Sequence, residues 1–211
     1  MNPPVVTLFE KYGSGARYIG PLVAEALGVR WLDQAISSAE IDEARYPGSG
    51  GASEKGGGLS RFLGQFAASA ALLDDASIPL AQAQDADLVR ENTRTVQTVA
   101  DTGGVLLGRN GALILGGVPG ALHVLLDAPL HVRVVRGSKI DGIDESLAAK
   151  HQKNEDRIRA ELSERLYHWN PMDIDKYDLV LNTGAMDLDT AADVIIAAYR
   201  AKSARVLGAV S

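Results

Sequence analysis

The period of apolar positions along the chain changes several times, and each change marks an element. Residues 4–9 (PVVTLF) form a short, β-branched apolar run followed at once by glycines, which predicts a buried strand and then a turn. Beyond Gly13-Ser14-Gly15, the residues Ile19, Leu22, Val23, Ala26 and Leu27 recur at helical spacing, and Gly28 stands where a glycine ends a helix. Pro21 falls inside that stripe. Because Ile19 continues the buried face, the expectation is a helix that still begins beside Gly15 and bends at the proline.

Residues 29–32 read as a second short strand closed by Asp33, followed by a loosely helical stretch over 34–45. Residues 59–73 and 80–102 are helical in pattern, the latter with Leu88, Val96, Val99 and Ala100 turned inward. Residues 104–107, 122–127 and 177–181 are apolar on both faces, as in a parallel sheet covered on both sides. A long polar helical stretch over 130–168 and a final helix capped by Asp187 or Asp189 complete the series. Five short strands alternating with helices predict an α/β domain, a five-stranded parallel sheet with helices on both faces. Residues 1–211 read as a single domain with a helical side lobe at 34–100 and a helical lid at 130–168. Within the side lobe, 47–58 (PGSGGASEKGGG) holds six glycines and almost nothing to bury, so a flexible loop is expected there.

Composition narrows the function classes. Lys plus Arg number 21 against 27 Asp plus Glu, a formal charge of −6, which argues against a protein whose main partner is a nucleic-acid backbone. Cysteine is absent and the four histidines lack metal-ligand spacing, so thiol chemistry and a structural metal are not expected. No basic start leads into an apolar leader and no membrane-length apolar run occurs, so no membrane partner and a cytoplasmic location are expected. A homo-oligomer is compatible with all of this.

In a doubly wound sheet, ligands sit beyond the carboxyl ends of the strands, and the residues there are not a random set. After the first strand come Glu10-Lys11-Tyr12-Gly13-Ser14-Gly15-Ala16-Arg17, whose glycines let backbone N–H groups face an anion at a helix start. Such a turn is equally a tight strand-to-helix connection. Asp33, Arg109 and Asp127 follow the second, third and fourth strands, and Arg133 and Arg136 share a helix face, as do Lys150, Lys153 and Arg157. Each is individually a solvated charge; together they are a set of cations suited to phosphate oxygens.

The string Thr7 to Gly20, followed by Leu22 to Gly28 and Trp31-Leu32-Asp33, resembles the opening of the cytidylate kinase-like proteins, a divergent branch of the P-loop nucleoside monophosphate kinases. The resemblance continues through Val105 to Arg109, Leu125 to Pro129, Arg133 with Arg136, Asp156 to Arg159, and Tyr177 to Asn182. It implies a three-layer P-loop-type fold and ATP-dependent phosphoryl transfer onto a nucleoside monophosphate such as CMP, with ATP and Mg²⁺ as cofactors and nucleotides as partners. By the same resemblance, Lys11, Gly13, Ser14, Gly15, Ala16 and Arg17 would hold the donor phosphates. Asp33 and Arg109 would face the acceptor, and Arg17, Arg109, Arg133, Arg136, Arg157 and Arg159 would neutralise charge. Asp33 and Asp127 are the metal candidates. Three of the four defining residues of G-x-x-x-x-G-K-[ST] are nevertheless replaced, Glu10 standing at the first glycine and Ala16 at the lysine. Arg17 would supply the missing charge. A nucleotide or anion sensor on the same fold, or a scaffold or oligomerisation module, are the alternatives these departures leave open.

Overall fold

The computed structural model describes residues 2–33 and 78–208. The chain divides into two compact units, Met1–Asp33 with Thr93–Ser211, and Gln34–Asn92; the second is described only in the part from residue 78, which is helical. The expected helices over 34–45 and 59–73 and the loop at 47–58 lie outside the described residues.

The elements run β1 (Val5–Glu10), α1 (Ala16–Leu27), β2 (Trp31–Leu32), α2 (Ile78–Thr102), β3 (Gly104–Leu107), α3 (Gly111–Ile114), β4 (Leu122–Asp127), α4 (Leu130–Asp141), α5 (Glu145–Tyr167), a 3-10 turn (Ile174–Lys176), β5 (Leu179–Asn182) and α6 (Leu188–Gly208). The strands form one sheet in the order β2-β3-β1-β4-β5, and every neighbouring pair is parallel. This is the five-stranded, three-layer α/β fold of the P-loop type.

Helices cover both faces because the strands are apolar on both. On one side Val6, Leu8, Val105, Leu107, Val124 and Leu126 pack with Ile19 and Val23 of α1 and with Ala191, Ile195 and Tyr199 of α6. On the other, Val5 and Leu106 pack with Val96 and Val99 of α2 and with Leu115 and Ala121. Each fully buried aliphatic side chain here contributes about 1.5–3 kcal/mol. Among the described residues no helix is long and apolar enough to cross a membrane.

Helix α1 begins at Ala16 with Gly15 as its N-cap and runs through Pro21, so residues 16–19 are helical as the buried stripe required. Ile19 is fully buried and Pro21 is exposed, which confines the missing amide of the proline to the solvent side. The polar stretch over 130–168 is two helices. Gly142 turns left-handed at φ 65 to end α4, and the Asp144 carboxylate accepts the Leu147 N–H to start α5. Asp187 rather than Asp189 caps α6, its Oδ1 accepting the Thr190 N–H at 2.7 Å. Strand β5 begins later than the apolar pattern and is half exposed, with Val180 at 50%, because it is an edge strand paired only with β4.

Candidate functional site

β1 leads across to β2 on one side of the sheet while β3 leads to β4 on the other, so the crevice of the sheet opens between the carboxyl ends of β1 and β3. Two unusual turns emerge there. The loop after β1 takes Gly13 to φ 81 and Gly15 to φ 98, and the Ser14 N–H returns to the Lys11 carbonyl at 3.0 Å. A side chain at Gly13 has no room, since a β-carbon there would stand 2.2 Å from the Arg133 carbonyl oxygen. After β3, Gly108, Arg109 and Asn110 all take positive φ, at 68, 54 and 57. Two non-glycine residues in that region cost about 1–2 kcal/mol each, and the Trp169 indole N–H helps hold the turn by donating to Asn110 Oδ1 at 2.7 Å.

Three of the six arginines named from the sequence, Arg133, Arg136 and Arg159, converge on the β1–α1 loop, and they reach it through its carbonyl oxygens. Arg159 of α5 donates to the Glu10 carbonyl at 3.0 Å and to Glu155 at 3.0 Å. Arg133 of α4, 7% exposed, donates to the carbonyls of Tyr12 and Ala128 and to Asp156 Oδ2 at 2.7 Å. Arg136 donates to the Gly13 carbonyl and to both oxygens of Thr183, whose hydroxyl in turn donates to the Ser14 carbonyl at 2.8 Å. Arg157 does not join them: it is exposed and pairs with Glu161 and Asn154 of its own helix. Burial in this crowd lowers the Arg136 guanidinium pKa, with Glu10 opposing the shift.

A second group lies along the ends of β1, β2 and β3. Arg17, in the first turn of α1, approaches Asp33 at 3.5 Å with both side chains half exposed. Arg109 donates to the Asp33 carbonyl at 3.3 Å, and burial lowers its pKa while Asp33 opposes that. The residues assigned to an acceptor are thus adjacent to Arg17. Lys11 is held by Asp127 at 2.5 Å, with Arg133 3.9 Å from the same carboxylate.

The decisive side chain is one the motif count treats only as a departure. Glu10 is 6% exposed, and its Oε2 accepts the N–H of Ala16, the first residue of α1, at 2.9 Å. Counted from Glu10, the final Ser/Thr position of the phosphate-loop pattern falls on Arg17. The hydroxyl that is present, that of Ser14, is fully buried with no hydrogen-bond partner among the described residues. A cavity of about 220 Å³ opens beside Glu10, lined also by Phe9, Lys11, Asp156, Arg159 and Met172. Sequence reasoning also passed over Thr183, although it stands directly beyond β5 where the strand-end rule points, and Asp156, which reads as a balancing charge.

A model of the Cytidylate kinase-like family matches the chain over residues 5–185, a span that includes this turn and all five strands of the sheet. The chain belongs to that family. Among curated relatives, a uronate isomerase of Corynebacterium glutamicum is 38% identical over 164 residues, 69% of this chain and 32% of that protein. Cytidylate kinases of Methanopyrus kandleri and Methanocaldococcus jannaschii are 31% identical over 121 residues and 29% over 118, covering 53% and 54% of this chain. The alignments therefore span 32%, 63% and 66% of the lengths of these three relatives. An uncharacterized protein from Eubacterium ventriosum shares the fold at a TM-score of 0.60 and 18% identity, over 93% of this chain and 98% of that one.

The family is a kinase-like one, which makes a triphosphate with Mg²⁺ the group to test against these residues. The bent loop and the cations around it fit a phosphate, whereas Ala16 N–H is already taken by a carboxylate. The metal candidates fit less well. Asp33 pairs with Arg17 and Asp127 with Lys11, and among the described residues no group of three His, Cys, Asp or Glu side chains is placed to hold an ion.

Proposed function

We propose that the protein is a nucleotide-binding phosphotransferase that transfers the terminal phosphoryl group of ATP to a nucleoside monophosphate, with CMP as the first acceptor to test. The observation that carries this reading is the Gly13-Ser14-Gly15 turn opening directly onto α1 at the crevice of the sheet, with Arg17, Asp33 and Arg109 beside it. Membership of the family supports it. In this reading Lys11, Gly13, Ser14, Gly15, Ala16 and Arg17 bind the donor phosphates, and Asp33 and Arg109 bind the acceptor. The segment over 34–100 is the acceptor-side lobe and 130–168 the lid.

An acceptor monophosphate is already an anionic nucleophile, so no general base is needed and the chain's work is positioning and neutralisation of charge. Arg136, Arg159 and Arg133 stand around the loop where charge would spread, and their planar forks suit phosphate oxygens. Mg²⁺, arriving with the nucleotide, would supply part of that neutralisation; no protein carboxylate is assigned to it. Radiolabelled γ-phosphate transfer from MgATP to the common nucleoside monophosphates, with Arg17→Ala as control, tests the reading. Transfer to at least one acceptor, reduced tenfold or more by the substitution, is the expected result. Nucleotide-induced thermal stabilisation without any transfer would select a catalytically impaired sensor instead, a reading that Glu10 in the phosphate cradle favours. Neither transfer nor stabilisation would refute both.

A further inference from the structure

The first turn of α1 carries no acidic residue and its N-cap, Gly15, has no side chain, yet the amide end of this helix is not empty of charge. Glu10 fills it. The contact joins the last residue of β1 to the first of α1 across the whole glycine turn, with Ala16 N–H on Oε2 at 2.9 Å. The carboxylate is buried from solvent, and the fully buried hydroxyl of Ser14, in the same loop, has no partner among the described residues. An anion at a helix N-terminus is stabilised by the amides and the helix dipole, and a side-chain carboxylate uses the same groups that a phosphate would.

We infer that Glu10 is an internal competitor for the phosphate site, and that phosphate binding at Gly13–Arg17 is coupled to uptake of a proton by Glu10. The inference rests on the phosphate-site reading above and goes beyond it by assigning a pH-dependent occupant. Two anions in one desolvated cradle repel, so a bound phosphate raises the affinity of Glu10 for a proton. By reciprocity, a protonated Glu10 accepts the phosphate more readily than an ionised one.

The groups around Glu10 set how far this goes. Burial pushes its carboxyl above the usual carboxylate range. Arg159 of α5, the backbone N–H groups of Ala16 and Gly15, and Arg17 of α1 pull it back. Arg136 of α4 also faces it electrostatically. Lys11, the neighbouring residue, is held by Asp127 of β4, and Arg133 is shared between Asp127 and Asp156. With its neighbours so occupied, the balance at the cradle lies between Glu10 and whatever anion enters.

Calorimetric titration of the full chain with ATP tests this between about pH 7.5 and 9, above the titration of the nucleotide's own terminal phosphate at about 6. Wild type is expected to bind more weakly as pH rises, by up to about tenfold per pH unit for one linked proton, and to take up a proton measurable in buffers of different ionisation enthalpy. Glu10→Gln, which keeps an oxygen for the Ala16 N–H but removes the charge, is expected to bind at least tenfold more tightly at pH 8, with a flat profile. Equal affinities and parallel profiles would overturn the inference while leaving the phosphotransferase reading in place. Binding by wild type without proton uptake would overturn the coupling, and that measurement holds even if the variant fails to fold. If neither protein binds ATP, the inference and the phosphate site fall together.

Discussion

Replacing Asp156 by alanine probes how α4 and α5 hold the β1–α1 loop. Asp156 lies on α5, yet its Oδ1 accepts the Tyr12 N–H at 2.8 Å and its Oδ2 accepts from Arg133 at 2.7 Å. Gln152 donates to the same oxygen. Arg133 is 7% exposed, so truncating its partner strands a buried guanidinium, a change that costs about 3–5 kcal/mol when nothing compensates. Two features reduce that. The Asp156 side chain is 24% exposed, and Asp127 stands 3.9 Å from Arg133 Nε and keeps part of the charge paired. The Tyr12 amide can also turn to water at small cost. We expect Asp156→Ala to destabilise by about 2–3 kcal/mol, or about 4–12 °C in Tm for a chain of this size. Thermal unfolding of Asp156→Ala, Arg133→Met and the double variant forms a cycle in which the double variant is less damaged than the sum by at least about 1 kcal/mol. A sum additive within about 0.3–0.5 kcal/mol would refute the reasoning, because it would mean that the pair does not share one buried network.

His123 is buried in β4, with Nδ1 2.8 Å from the Thr7 hydroxyl, and burial lowers its pKa below that of a free imidazole. The native state therefore binds fewer protons than the unfolded chain, so this contribution to stability is complete above the unfolded pKa of about 6.5 and is lost as pH falls below it. Urea unfolding from pH 8 to 5 should show that decline, and His123→Gln should flatten it. Gly13→Ala places a β-carbon 2.2 Å from the Arg133 carbonyl at a backbone φ of 81, so it should displace the loop and reduce triphosphate affinity more than tenfold while unfolding remains cooperative; unchanged calorimetric affinity would show that the turn is not the binding element.

What was legible in the sequence follows from how local each signal is. β3 and β4 begin and end where their apolar runs do, because residues buried on both faces leave no alternation to misread. β5 is shorter than its run because Asp178 is used sideways: its carboxylate accepts the His123 N–H at 2.8 Å and its N–H goes to the His123 carbonyl. The break between α4 and α5 was written in Gly142 and Asp144, and was masked only by continuous polarity on either side. Arg157 and Arg159 also carried a readable distinction. Two residues apart on a helix lie about 200° apart around its axis, so only one of them can face the loop, and the one that does is Arg159. The Glu10 contact was not legible, since donor and acceptor stand at positions 16 and 10 with the whole turn over 11–15 between them, and only the left-handed glycines bring them back together.

The loop after β1 is held from both sides by its own chain. Its carbonyl oxygens, at Glu10, Tyr12, Gly13 and Ser14, are taken by Arg159, Arg133, Arg136 and Thr183. Its helix-opening amide is taken by Glu10. A ligand therefore meets a turn already bent, and the entropic cost of ordering it has been met within folding rather than at binding. The exchange at each partner differs in sign. A guanidinium leaving a carbonyl for a phosphate oxygen trades a partial negative charge for a formal one and gains by it, whereas the Ala16 amide leaving a carboxylate for a phosphate trades one anion for another and gains little. In the proposed reading the arginines draw an anion towards the loop, and the ionisation of Glu10 sets the pH at which it is admitted.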